Sequence, residues 1–407
     1  MNKKLLKLII LIGLPWVALI SQSAQADTKT WSSSNGFWDN DSNWLPFGVP
    51  GAGDDVIVSP YGGVDTILNF ASATGSRSAN SLVVNSGTDN AASFLQTGSS
   101  LSITNRQIIG STGSGNYMLS DGSNTSWELV VGEQRGGSGS YSLSGSGSLS
   151  ANIEEIGIYG HGVFTQSGGT NTVGSLILGS NTSLDYLGNT HFGTGSYNLS
   201  GGSLSAGTEI VGNSGTGSFT QSGGTNTADN LIIGTMGSLV GDAGSAWHIT
   251  SSFENHSLQN TLWNTDHSEL FFDGSGIKSL YLAGIDEGLS PLGFTNNFAF
   301  GLLSLASGAE LNIYDGNATA GAALYVELLN LADGVNQLGS IHSDYNIYYN
   351  ASLAGNAYLM HKTYALDGGG VLAPAIPELE TYAMLLAGLG VLGFAARRRK
   401  QSTKRLS

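Results

Sequence analysis

Gly162-Val163-Phe164-Thr165-Gln166-Ser167-Gly168-Gly169-Thr170-Asn171-Thr172 is stated again, nearly unchanged, as Gly217-Ser218-Phe219-Thr220-Gln221-Ser222-Gly223-Gly224-Thr225-Asn226-Thr227. After a polar gap the first copy closes on Leu176-Ile177-Leu178-Gly179 and the second on Leu231-Ile232-Ile233-Gly234. The leading aromatic marks further copies at Phe94, Tyr117, Tyr141 and Tyr197, so that the six markers are separated by 23, 24, 23, 33 and 22 residues. A period near 23 with one longer gap predicts a stacked solenoid carrying one insertion.

Within a copy, Tyr141-Ser142-Leu143, Phe164-Thr165-Gln166 and Tyr197-Asn198-Leu199 alternate, placing the aromatic and the residue two places on upon one strand face. The apolar clusters read as a second strand, and Ser-Gly-Gly at Ser167 to Gly169, Ser200 to Gly202 and Ser222 to Gly224 as the corner. A single unit of this kind cannot bury its apolar face, whereas stacking at about 4.8 Å pairs every backbone and builds a continuous core. The expectation is an all-β parallel β-helix with a ladder of aromatics inside. A flexible Gly/Ser linker is disfavoured because the chain has 60 Gly but only 7 Pro, is 40% hydrophobic, and repeats its apolar clusters in register.

Residues 1–26 read as an export signal: Lys3, Lys4 and Lys7 precede an apolar core, Leu8 to Ile20, and Ala24-Gln25-Ala26 is a small-x-small cleavage site. Residues 27–64, with Trp31, Trp38 and Trp44 among turn residues, read as an N-terminal cap over the solenoid of residues 65–372. Asp39-Asn40-Asp41-Ser42-Asn43 begins like a calcium loop, but Trp44 and Pro50 stand where Gly and Glu belong, so it is read as a turn. The long gap holds Leu184 to Phe192, whose Tyr186 and Phe192 are expected to fold back over the core. Beyond Leu239 the strand grammar continues, with Asn297 to Ser307 read as a brief helix.

Composition bounds the function. Residues 27–376 hold 6 basic and 28 acidic side chains, a net of −22, which repels nucleic acid and anionic lipid. Cysteine is absent, so neither disulfides nor thiolate metal sites are available. No nucleophile elbow, zinc helix or phosphate loop occurs. Glu154 and Glu155 would point to opposite faces of a strand and cannot work as one acid and base. His248, His256 and His267, with Asp266 and Glu269, are the densest polar cluster, at spacings that match no metal motif; no catalytic, cofactor or metal site is expected.

The end of the chain carries the most specific signal. Ala373-Pro374-Ala375-Ile376-Pro377-Glu378-Leu379 leads into an apolar stretch, Tyr382 to Ala396, closed by Arg397-Arg398-Arg399-Lys400, a cluster that would hold that end on the cytoplasmic side. This order of elements in residues 373–407 resembles the PEP-CTERM sorting signal, with Leu379 where that family has a second proline. The resemblance implies a short transmembrane helix, transient residence in the inner membrane of a Gram-negative bacterium, processing by an exosortase, and delivery to the cell surface or exopolysaccharide. The middle of the chain is similar, more diffusely, to autotransporter passenger repeats. Two functions follow: a non-enzymatic surface or matrix protein that offers Thr170-Asn171-Thr172 and Thr225-Asn226-Thr227 to exopolysaccharide or other cells, as in a biofilm, and, as the alternative, a polysaccharide lyase or hydrolase on the same fold.

Overall fold

The alternation read in the repeat persists through each turn of the chain in a computed structural model that describes residues 26–87, 90–184, 188–319 and 321–375. In His161–Leu178, Gly162, Phe164, Gln166, Asn171, Val173, Leu176 and Leu178 all face inward. Each pairs in parallel with its counterpart one coil on, Phe164 with Tyr197 and Leu176 with Glu209 among them. The chain is therefore a parallel β-solenoid. A coil holds three short strands rather than two: the Thr170 to Val173 segment, which closes the copied phrase and runs into the polar gap, is a strand whose outward hydroxyls conceal an inward Asn171 and Val173.

Two corners hold the coil closed. Gly169 takes φ +68°, a left-handed conformation that side chains with a Cβ resist. Gly157, at the corner after the third strand, has φ +74°, and a Cβ there would lie 2.0 Å from the carbonyl oxygen of Thr194 on the coil beyond. Only glycine lets neighbouring backbones approach this closely.

Inside, Phe94, Tyr117, Tyr141, Phe164, Tyr197 and Phe219 stack with centroids 4.7, 4.9, 5.0, 4.6 and 5.2 Å apart and planes within 8° of parallel. The spacing is that of the strands themselves, so the backbone ladder sets the ring ladder. Each ring pair adds about 0.5–1.5 kcal/mol beyond the area it buries. In register the column is continued by Leu68 on one side and Leu239 on the other, and Phe70, opposite Gln96, packs its ring against Phe94 at 6.0 Å and 30°.

At the first coil, Trp31, Trp38 and Trp44 are fully buried and meet edge to face at 5.0 Å. Thr28–Trp31 runs parallel to Asp55–Val58 on one side and antiparallel to Trp44–Leu45 on the other, so the outermost strand breaks the parallel stacking. Asp41–Asn43 is a single 3₁₀ turn, capped where the Asn40 side chain accepts from the Ser42 N–H at 3.1 Å.

Beyond Leu239 the strands are further coils of the same sheet, down to Val371–Ala375, which pairs with Asn346–Asn350. Ala373 to Ala375 thus belong to the last coil rather than to the segment that follows. The helix expected near residue 297 does not form: Phe300–Leu305 is a strand lying between Glu269–Phe272 and Ala323–Leu331. Strands on both sides offer it unpaired backbone, and that overrides local preference. The insertion after Leu178 is a hairpin, Thr182–Leu184 against Thr190–Phe192, and Phe192 is 43% exposed instead of covering the core. Tyr186 lies outside the described residues, as do the export signal and the whole segment Pro377, Glu378, Leu379, Tyr382 to Ala396, Arg397, Arg398, Arg399 and Lys400. Among the described residues, no helix is long and apolar enough to cross a membrane.

Candidate functional site: a hydroxyl-bearing face

From the Phe94 coil to the Phe219 coil the second strand turns every other residue outward, and at those places the sequence supplies only serine and threonine. Register stacks Ser100, Ser123, Ser148, Thr170, Ser203 and Thr225 in one column. Beside it run Ser78, Ser102, Thr125, Ser150, Thr172, Ser205 and Thr227. Strand geometry sets the columns about 6.7 Å apart and successive hydroxyls in a column about 4.8 Å apart. Some neighbours are linked: Ser123 Oγ donates to Ser100 Oγ at 2.8 Å and Thr170 Oγ1 to Ser148 Oγ at 3.2 Å. Each hydroxyl is both donor and acceptor, and the backbone below is already spent in the ladder, so the face is a rigid, uncharged lattice of hydrogen-bonding groups. It ends at Ala246 and His248; the latter follows Thr227 in register, stacks on Phe271 at 4.7 Å and bonds Asp273 Oδ2 at 2.8 Å.

The amides expected on this surface are inside it. Asn171 and Asn226 are each 1% exposed, so Thr170-Asn171-Thr172 and Thr225-Asn226-Thr227 present two hydroxyls apiece and no amide. Their amide nitrogens donate to Glu154 Oε2 at 3.0 Å and Glu209 Oε2 at 3.1 Å on the preceding coil. Asn171 also donates to Tyr197 Oη at 3.2 Å, and that hydroxyl donates to Gln166 Oε1 at 2.5 Å. Coils alternate accordingly. The Tyr141 and Tyr197 coils place Leu143, Leu149, Glu154 and Leu199, Leu204, Glu209 inward, while the Phe164 and Phe219 coils place Gln166, Asn171, Leu176 and Gln221, Asn226, Leu231. Over these four coils the full structural repeat is therefore two coils. Its sequence signal is the distance between the copied phrases, Gly162 to Gly217, which is 55 residues and spans a pair of coils.

Burial governs the chemistry of this interior. Desolvation pushes the carboxyls of Glu154 and Glu209 up to about 8, against a smaller opposing effect of the Asn171 and Asn226 amides. The same cause drives the hydroxyls of Tyr141 and Tyr197 well above their ordinary value. Glu154 Oε1 and Asn171 Oδ1 have no hydrogen-bond partner, and neither do Glu209 Oε1 and Asn226 Oδ1. Glu155, one residue on from Glu154, points outward and is half-buried, as strand alternation requires.

The histidines do not converge. His248 belongs to the edge of the hydroxyl face, and His256 donates from Nδ1 to the Gly316 carbonyl, with Nε2 3.5 Å from Glu254. His267 joins Asp266 and Glu269 in a separate cleft of about 590 Å³, where the fold adds Glu327, a residue that sequence distance hid. Among the described residues, no group of three or more His, Asp or Glu is placed to hold a metal ion. No family model, curated protein or solved structure matches the chain.

Proposed function

We propose that this protein is an exported, non-enzymatic scaffold of the cell surface or extracellular matrix that lies along exopolysaccharide through its hydroxyl face. The observation that carries the reading is the pair of uncharged Ser/Thr columns, held at fixed spacing over six coils. A chain of sugar hydroxyls can match such a lattice by many weak bonds, each contributing about 0.5–1.5 kcal/mol net. A net charge of −15 over the whole chain keeps such rods apart from one another and from nucleic acid. In this reading Pro377-Glu378-Leu379 directs exosortase processing, and Arg397, Arg398, Arg399 and Lys400 orient the precursor in the inner membrane.

The test replaces Thr170, Thr172, Thr225 and Thr227 by valine, which keeps shape and strand preference and removes four hydroxyls. Retention on insoluble polysaccharide should fall about tenfold or more. Undiminished retention would refute the face as the contact. The second reading, a polysaccharide-active enzyme, is favoured by the cleft that gathers Asp266, His267, Glu269 and Glu327. Glycan turnover by the full chain that is abolished in Glu269→Gln would establish it.

A further inference from the structure

Three consecutive coils after Asn255 each send a loop out after the third strand: residues 256–268 follow Ala246–Asn255, residues 283–299 follow Gly276–Leu282, and residues 316–322 follow Ala309–Asp315. Insertions at one corner of neighbouring coils lie side by side, and here they enclose a cleft of about 440 Å³. That is the size of a small-ligand site. Its chemistry is set by Asn260, Asn296 and Asn317, by Leu258 and Leu292, and by one carboxylate, Glu287.

The cleft is preorganised by side-chain amides. Asn317 Nδ2 donates to the Ala283 carbonyl at 2.9 Å and to that of Ser257 at 3.4 Å, tying all three loops together. Asn297 donates to the Ile285 carbonyl and accepts from the Ile285 N–H, both at 2.8 Å, so a side chain imitates a strand partner. Asn260 Nδ2 donates to the Asn296 carbonyl at 3.3 Å. Asn296 and Phe298 hold φ of +53° and +57°, a left-handed backbone that asparagine tolerates and that is strained for phenylalanine. Phe298 is kept there edge-on to Trp263, with centroids 5.0 Å apart. Backbone strain of this kind persists where surrounding structure over-determines it, and it clusters at ligand clamps.

The lining selects a ligand class. Among the described residues that line it there is no lysine, arginine or histidine, and Glu287 brings a negative charge, so a uronate or phosphate would enter without a counter-charge. Leu258 and Leu292 are 57% and 68% exposed, and they stand among groups that donate and accept hydrogen bonds. A sugar ring has that same division, with C–H faces for the leucines and hydroxyl edges for the amides and the carboxylate, whose bonds to hydroxyls are the stronger ones. We propose that this cleft binds a short, neutral oligosaccharide segment. The proposal rests on reading the chain as a polysaccharide-associated scaffold, and it adds a discrete receptor to the extended face.

Calorimetric titration of the full chain in zwitterionic detergent tests it, with neutral cello-, chito- and manno-oligosaccharides and with oligogalacturonate as the anionic comparison. Saturable binding of at least one neutral series is expected, with none of the oligogalacturonate. Leu258→Ser with Leu292→Ser, at side chains outside the core, should weaken that binding at least tenfold, and Glu287→Gln should weaken it independently. The four-valine variant of the hydroxyl face should bind as the parent does. Absence of binding to every neutral series, equal binding of oligogalacturonate, or undiminished binding by both loop variants would overturn the cleft. Retention on insoluble polysaccharide that depends on the valine positions would leave the scaffold reading standing in each of those cases. Conversely, oligosaccharide binding lost only in the loop variants, with retention indifferent to the valines, would sink the face and keep the cleft.

Discussion

Glu154→Gln together with Glu209→Gln should remove most of the pH dependence of this protein's stability between pH 5 and 7. In the folded chain both carboxyls sit at about 8, pushed there by burial, against an ordinary value of 4.5. Between those two values the folded state holds a proton that the unfolded state has released. Unfolding is therefore favoured as pH rises: stability is greatest below the unfolded value, declines through the window, and levels off above about 8. Each glutamate contributes a slope of up to about 1.4 kcal/mol per pH unit, or about 2–3 kcal/mol between pH 5 and 7. Asp121 and Asp333 are shifted the other way, downward, by hydrogen bonds from Ser146 and Gly122 and from Ser307 and Gly308, so their loss falls below the window. Glutamine keeps the shape, still accepts from Asn171 or Asn226, and offers an N–H to the unpartnered amide oxygen. Hydrogen exchange at the strands carrying residues 149–156 and 204–211 is the assay, because long repeat arrays need not unfold in one step. Comparing parent and variant at the same pH cancels the intrinsic exchange rate. Protection that falls equally in both between pH 5 and 7, or that rises in the parent, would show that the interior carboxyls are ionised and the account of the core is wrong.

Phe164→Ala should open a cavity in the ring ladder and cost about 3–5 kcal/mol, whereas Thr165→Ala on the outer side should cost under about 0.5, both read from denaturant midpoints. Gly157→Ala should destabilise its coil strongly, since the added Cβ meets the Thr194 carbonyl at 2.0 Å; exchange protection should be lost locally around residues 156–158 and 194–195. Reversing Arg397, Arg398 and Arg399 to glutamate should disturb membrane orientation and processing, and Leu379→Pro should leave processing equal or improved, both scored by mass spectrometry of surface and membrane fractions. An inner-membrane chain intact to Ser407, with no shortened surface form, would remove the sorting reading.

The ring ladder and the glycine corners were legible because each depends on one residue type recurring at one place: an aromatic two residues after a glycine, and Ser-Gly-Gly at the turn. The second strand was not, because hydroxyl-rich outer positions and an inward asparagine together look like a loop. The polar interior was hidden for a related reason. Glu154, Asn171 and Tyr197 become a bonded set only when three coils are stacked, and no property of any one of them announces it. The loop cleft is likewise a product of register, drawing on residues from Ser257 to Thr319. The helix read near Phe300 also failed, because strands on both sides drew that segment into the sheet.

The two-coil alternation has a bearing on how such a rod changes length. From the Tyr141 coil to the Phe219 coil, the side-chain bonds between interior polar groups run between a tyrosine-type coil and a phenylalanine-type coil, as Asn171 to Glu154 and Tyr197 to Gln166 show. Removing one coil would bring like against like: loss of the Tyr197 coil would face Gln166 with Gln221 and Asn171 with Asn226, and loss of the Phe164 coil would strip Glu154 of Asn171. Removing or duplicating a pair restores every contact at the new seam. Over the Tyr141 to Phe219 coils, growth and shortening by recombination would therefore preserve the core in steps of two coils, here the 55-residue offset between Gly162 and Gly217, hairpin included. The outer columns of hydroxyls tolerate either step, so within these four coils it is the hidden interior, and not the exposed face, that sets the unit of change.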